Sequence, residues 1–333
     1  MKVGIIGLGN MGKNHVRNYH ELDTCVLSAV CDIDPNLTES FSKKYKCQAF
    51  NSIEDLINSK TCEAVSITSP TSTHYNLAKK CLENNIHVLV EKPITNNLKE
   101  AQELIDLAKK NNKTLMVGHI ERYNPAVITA KQVIENGDIG KPTCLIAKRV
   151  GAFPAQIKDM NVIIDLAVHD IDIFSYLLNK YPTNIMSNAG KALHNKREDY
   201  AEIFLNYDDQ NGFIQVNWIT PIRIRNLAIT GTKGYMEINY MTQEINMHES
   251  NYATDFDNFG EYIIKFGETT RRTIAVEKAE PLKKELGHFL TCCQTGQTPI
   301  TDGSCGIRAL ETALTVLHQI NQAKTKQTTP SIS

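Results

Sequence analysis

The N-terminal run Lys2-Val3-Gly4-Ile5-Ile6, followed by Gly7-Leu8-Gly9-Asn10-Met11-Gly12, limits what this chain can fold into more than any other feature. An apolar strand leads into a G-x-G-x-x-G, which opens a helical pattern over Met11–His20. In a β-α-β unit each glycine has a task. Gly7 permits the tight turn, Gly9 lets the backbone approach a pyrophosphate, and Gly12 allows close helix–strand packing. The helix N-terminus adds unpaired N–H groups and a partial positive charge. Asp32 ends the second strand, 20 residues beyond Gly12, where a carboxylate accepts hydrogen bonds from an adenosine ribose. It would repel a 2′-phosphate, and Ile33, Asp34 and Pro35 follow it rather than a basic residue. The expectation is a dinucleotide site for NAD rather than NADP; the alternative is a tight turn that holds no ligand.

The first ~120 residues repeat that grammar, with a short connection between each strand and helix. Strand-like runs are Lys2–Ile6, Cys25–Cys31, Gln48–Phe50, Ala64–Thr68, Ile86–Val90 and Thr114–Gly118. Helical patterns are Met11–His20, Leu37–Tyr45, Ser52–Asn58, Ser72–Asn84 and Leu98–Lys110. Nearly continuous apolar strands alternating with helices mean a doubly wound parallel sheet covered on both faces.

After Asn124-Pro125 the pattern changes. Helical stretches over Pro125–Asn136 and Val162–Leu178 flank a strand at Thr143–Val150. Strand candidates then follow one another through Tyr200–Tyr207, Gly212–Thr220, Ile222–Thr230 and Gly234–Tyr240. Consecutive strands with tight turns indicate a mainly antiparallel open sheet. Helices at Lys283–Gln294 and Ser304–Ala323 close the chain. The expected class is α/β: an N-terminal Rossmann sheet over 1–120, an α+β domain over 121–325, and a loose tail at 326–333.

Composition narrows the function. At 333 residues the chain can form two ordinary domains. A net charge of −1 argues against nucleic acid or an anionic membrane as partner. Apolar runs fall far short of the ~20 residues of a membrane span, and no signal-peptide pattern opens the chain. The nine cysteines are scattered without Cys-x-x-Cys, which suits a reducing cytoplasm and no structural metal.

Two clusters carry chemistry. Glu91-Lys92-Pro93 follows the fifth strand at its carboxyl end, where open α/β sheets place ligands. The alternative is a solvated surface lysine. Asp165, His169 and Asp172 are spaced by four and three residues on an otherwise apolar helix, so they share one face. An Asp–His pair can set an imidazole tautomer and raise its basicity. The alternatives are a helix-terminal acid with a core histidine, or a weak metal site, which lacks a third ligand at usable spacing.

Together, Gly7–Gly12 with His15, Ser69-Pro70-Thr71-x-x-His74, Glu91-Lys92-Pro93 and Asp165-x-x-x-His169-x-x-Asp172 resemble the glucose–fructose oxidoreductase / inositol dehydrogenase family of two-domain sugar dehydrogenases. The resemblance covers essentially the whole chain. It implies that Gly7, Gly9, Asn10, Met11, Gly12, Asp32, Ser69, Pro70, His74, Glu91 and Lys92 hold NAD. It further implies that His169 takes the proton of a sugar hydroxyl, Lys92 donates a hydrogen bond to its oxygen, and Asp165 holds the substrate or the histidine. A narrower likeness runs through Val117–Pro125, Lys148–Pro154 and Val162–Asp172. It resembles the branch that oxidises the 3-hydroxyl of UDP-N-acetylglucosamine ahead of transamination to a 3-amino sugar. On that likeness Arg122, Tyr123, Asn124, Arg149, Asp165 and His169 contact substrate; the alternative for each arginine is a surface or interface role. A free sugar or polyol such as inositol remains a second substrate class, and an NAD-dependent glycosidase a second reaction class. A sheet with one face uncovered by helices is also a ready surface for a homodimer or homotetramer.

Overall fold

The computed structural model describes residues 1–153, 160–193, 196–256 and 262–327. Its chain begins β1 (Lys2–Ile6), α1 (Asn10–Glu21), β2 (Val26–Cys31), α2 (Pro35–Tyr45), β3 (Gln48–Phe50), α3 (Ile53–Asn58), β4 (Ala64–Ile67), α4 (Thr71–Glu83), β5 (His87–Glu91), α5 (Leu98–Lys110) and β6 (Leu115–Gly118). Side-chain caps start several of these helices: Asp34 accepts from the Asn36 N–H, Ser52 from Asp55 and Asn97 from Glu100. The six strands run parallel in the order β3-β2-β1-β4-β5-β6. Val3, Ile5, Ala64, Val65, Val88 and Leu89 are fully buried, as the uninterrupted apolar runs require when helices cover both faces. Strand order reverses between β1 and β4, which opens a crevice at their carboxyl ends.

The chain continues through α6 (Pro125–Glu135), β7 (Pro142–Ala152), a π-helical turn at Ile163–Ala167, and α7 (Val168–Leu178). Then come β8 (Asn184–Gly190), β9 (Tyr200–Asn206), β10 (Asn211–Asn217), β11 (Ile219–Gly231), β12 (Gly234–Asn239), β13 (Glu244–Phe256), β14 (Tyr262–Ile274), α8 (Pro281–Thr295) and α9 (Gly303–Gln327). An eight-stranded sheet forms in the order β14-β13-β12-β11-β7-β10-β9-β8. Its neighbours are antiparallel except β7 and β10. The break between β10 and β11 comes earlier than alternation predicts. Asn217 Oδ1 accepts the N–H groups of Ile219 and Thr220 at 3.1 and 3.0 Å, a side-chain turn that ends the strand.

One face of this sheet is core: Leu145, Ile203, Ile214, Leu227 and Met236 are buried with Val127, Phe174 and Val316. The other face carries a cross-strand row in register, Met186–Phe204–Phe213–Ile146–Ala228. Within that row Met186, Phe213 and Ile146 are exposed.

The chain divides into two compact units. The first joins Met1–Tyr123 to Ala279–Glu311, and the second joins Asn124–Lys278 to the residues from Thr312 onward. Sequence pattern puts 121–325 in one domain; the structure returns Ala279–Glu311 to the first. The reason is packing: Leu282, Leu286, Phe289 and Leu290 of α8 share a core with Val3, Ile5, Val16 and Tyr19. An amphipathic face records that a helix is buried, not against which sheet. Residues 326 and 327 belong to α9, and the rest of the expected tail lies outside the described residues.

Candidate active site

The glycine loop separates into structural and ligand-facing positions. Gly7 has φ +94°, and a Cβ there would lie 2.6 Å from the Ser69 nitrogen. A Cβ on Gly12 would lie 1.9 Å from the Gly7 carbonyl oxygen. The fold itself demands both glycines. A Cβ on Gly9 would meet nothing of the protein within 4 Å, so the clearance above Gly9 serves an approaching ligand. Gly9 is also the N-cap of α1 and supplies no side-chain hydrogen bond, which leaves first-turn N–H groups for a phosphate. Asn10 is exposed and Met11 half-buried on that first turn. Asp32 Oδ2 accepts from the Leu8 N–H at 2.7 Å and Oδ1 from the Asp34 N–H at 3.0 Å. It is half-exposed, and a carboxylate oxygen keeps acceptor capacity beyond one such bond. These residues fit a dinucleotide.

Ser69 is half-buried and Pro70, the N-cap of α4, is exposed. His74 is 1% exposed, with Nδ1 2.9 Å from the Pro93 carbonyl oxygen and Nε2 2.9 Å from that of Ser69. The ring braces the Ser69 loop against the segment after β5. Glu91 is likewise turned inward. Its Oε1 lies 3.1 Å from His15 Nε2, and its Oε2 accepts from the Lys92 N–H at 3.2 Å. Burial pushes this carboxyl up, but His15 and Lys92 outweigh burial and hold it below the ordinary glutamate value. Both side chains hold the backbone on which half-buried Lys92 stands.

In the second unit, Asp165 belongs to the π-helical turn and His169 to the first turn of α7. Both are half-buried, whereas Asp172 is 3% exposed. Asp165 and His169 thus lie at similar depth, with Asp172 further in. Asp170, next to His169, is fully buried and receives Arg149 in a two-pronged pair, Nε to Oδ2 at 2.7 Å and Nη2 to Oδ1 at 3.0 Å. The guanidinium lies 4.9 Å from the centroid of the Tyr240 ring. Sequence reasoning missed this partnership because 21 residues separate the two.

Four residues expected to contact substrate are bonded within the protein. Arg149 is 4% exposed and committed to Asp170. Arg122 is 6% exposed and donates to the Ile300 carbonyl at 2.7 Å. Tyr123 Oη lies 3.1 Å from Thr301 Oγ1. Asn124 caps α6 through the Ala126 N–H and donates to the Tyr240 carbonyl. All four are buried.

Comparison with known proteins decides the family. Residues 1–119 match the GFO_IDH_MocA model, described as an oxidoreductase family with an NAD-binding Rossmann fold. Residues 127–237 match the GFO/IDH/MocA C-terminal domain. The chain belongs to the GFO/IDH/MocA oxidoreductase family. It is an NAD-dependent dehydrogenase. It is 26% identical over 319 residues to UDP-N-acetylglucosamine 3-dehydrogenase of Acidithiobacillus ferrooxidans, a match spanning 95% of this chain and 96% of that one. The solved structure of the Acidithiobacillus enzyme superposes with a TM-score of 0.85 at 25% identity, over 97% and 98% of the two chains. A scyllo-inositol 2-dehydrogenase (NAD+) of Bacillus subtilis is 29% identical over 318 residues, 90% of this chain and 88% of that one. No helix among the described residues is long and apolar enough to cross a membrane.

Proposed function

We propose that this dehydrogenase oxidises the 3-hydroxyl of UDP-N-acetylglucosamine to the 3-keto sugar, which an aminotransferase then converts to a 3-amino sugar. The observation that carries this reading is the end-to-end likeness, in sequence and in structure, to an enzyme named for that reaction. NAD, when bound, supplies a nicotinamide that accepts two electrons and the carbinol hydrogen. His169 takes the hydroxyl proton as general base. Lys92 donates a hydrogen bond to the oxygen as negative charge develops. Asp165, one helical turn before His169, orients the imidazole or the substrate. With Arg122 and Arg149 bonded inside the protein, the preference for a nucleotide sugar rests on the relatives rather than on arginine contacts.

Nine unpaired cysteines support a reducing, cytoplasmic setting. The apolar row Met186–Phe204–Phe213–Ile146 supports pairing of second-unit sheets in a homodimer or homotetramer. A Phe213→Glu variant that sediments like wild type would remove that assignment.

The deciding experiment is NAD reduction with UDP-N-acetylglucosamine, UDP-glucose, inositol and glucose in parallel. NADH formation with UDP-N-acetylglucosamine, and a ketone at C3 of the product, is expected. Turnover of inositol or glucose without the UDP sugar would give the polyol reading. Release of free aglycone without net NADH would give a glycosidase.

A further inference from the structure

Glu285 lies on α8 in the first unit, with none of its surface exposed. Its helix neighbours Leu282, Leu286 and Phe289 fill the core alongside Val3, Val16 and Tyr19. Neither carboxyl oxygen has a hydrogen-bond partner among the described residues. The titratable groups that bear on it are Glu91 from β5, Tyr19 from α1 and Tyr123 from the turn after β6. His15 joins them through its contact with Glu91. None of these groups is a lysine or an arginine. An ionised carboxylate in such a setting neutralises rather than persists, and two carboxyls sharing a water-poor site do not both ionise. Glu91 has the bonds that favour charge, from His15 and from the Lys92 N–H. Glu285 has none.

We propose that Glu285 is a proton-bearing carboxylic acid and a positioning residue: by keeping the proton, it leaves the negative charge on Glu91, between His15 and Lys92. The functional part of this inference rests on the role given above to Lys92. Burial first, and Glu91 second, push the Glu285 carboxyl well above the ordinary glutamate range, in agreement with the geometry. The charge held on Glu91 favours the ammonium form of Lys92, the form that donates a hydrogen bond. As pH rises and Glu285 ionises, a second negative charge competes with Glu91 and the His15–Glu91 contact weakens. Glu285 therefore acts on turnover through its neighbours.

The test is Glu285→Gln in the full chain, which keeps shape and removes the titration. Infrared spectra of the wild type at pH 8 are expected to contain a protonated-carboxyl carbonyl band that the variant lacks. A folded pKa above the unfolded one costs stability as pH rises past about 4.3, the ordinary glutamate value. The variant is thus expected to melt about 2–4 °C above wild type at pH 8, with the gain vanishing toward pH 4. The alkaline limb of kcat is expected to move up by at least about one unit, the coupling that defines interacting sites. A variant that melts below wild type at pH 8, or an unchanged infrared band, overturns the neutral acid. An unchanged kcat profile overturns the positioning role. Should Lys92→Ala keep full turnover, the role of Lys92 falls, while the infrared and melting arms still decide the protonation of Glu285.

Discussion

Each unit sets its proposed acid–base residue next in sequence to a buried carboxylate, and the two carboxylates are held differently. Asp170, beside His169, is gripped by both prongs of Arg149, with side-chain exposures of 4% for the arginine and 1% for the aspartate. A guanidinium stays charged at every accessible pH, so that pair holds α7 through a cation whose charge is permanent. Glu91, beside Lys92, is held by His15, whose charge depends on its own proton. A second carboxyl, Glu285, bears on it from the same core. The second unit fixes its station with a permanent cation, whereas the first fixes its station with groups that all titrate.

The largest expected effect concerns the two stations themselves. Lys92→Ala and His169→Ala should each lower kcat by about 10²–10⁴-fold, the usual worth of a positioned acid–base group, while NAD still binds in fluorescence titration. Near-normal rates in either variant would remove that residue from the chemistry.

Next in size is the permanent pair. Arg149→Ala strands a buried aspartate and should cost about 3–5 kcal/mol in denaturant unfolding. Replacing both partners, Arg149→Met with Asp170→Leu, should recover most of that loss, because stranded charge rather than missing attraction is the main cost. If the single variant unfolds like wild type, the contrast between the stations fails.

Gly118→Ala probes the titrating station with a smaller change. The new Cβ would lie 2.9 Å from Glu91 Oε2 and 3.1 Å from Glu91 Cα, so the carboxylate must shift. A stability cost of about 1–3 kcal/mol is expected, together with a lower kcat and undiminished NAD affinity. A variant with unaltered kcat would show that the Glu91 position does not matter to Lys92.

The smallest effect concerns pH in the first unit. Burial, and then Lys113, push the His87 imidazole down to about 4, and its Nδ1 accepts the Thr114 N–H at 3.0 Å. The folded state binds this proton less readily than the unfolded chain, whose value is about 6.5. The His87 contribution is therefore complete above about pH 6.5 and lost as pH falls toward 4. Melting curves across that window should flatten in His87→Gln. An unchanged slope would assign the acid sensitivity to other groups.

Much of the first unit was legible. Strand, glycine loop and helix follow one another so closely at Lys2–Glu21 that local pattern alone identifies the unit. Asp32 could be found by counting. The orientation of Glu91 and His74 could not, because a polar residue beside a ligand-binding loop looks the same in sequence whether it faces a cofactor or braces the loop from behind. Arg122 and Arg149 illustrate a second limit of local pattern. Guanidinium groups in distinctive motifs suggest anion binding, yet their partners, the Ile300 carbonyl and Asp170, come from chain-distant segments. Glu285 gave no signal at all. One glutamate on an amphipathic helix is ordinary until its burial is known.

By itself the sequence determined the element order, the parallel and mainly antiparallel characters of the two sheets, and a dinucleotide loop at Gly7–Gly12. These depend on contacts between near neighbours in the chain, which periodicity and glycine placement record directly. Only the tertiary structure decided that a Cβ would find open space at Gly9 but not at Gly7 or Gly12, that α8 completes the first core, and that Arg149 belongs to Asp170. Those facts depend on which distant segments meet, and hydrophobic pattern specifies that a surface is buried without specifying its partner. The glycine loop could be read as a cofactor site from one end of the chain. The state of the carboxylate behind Lys92 required α8, nearly 200 residues downstream.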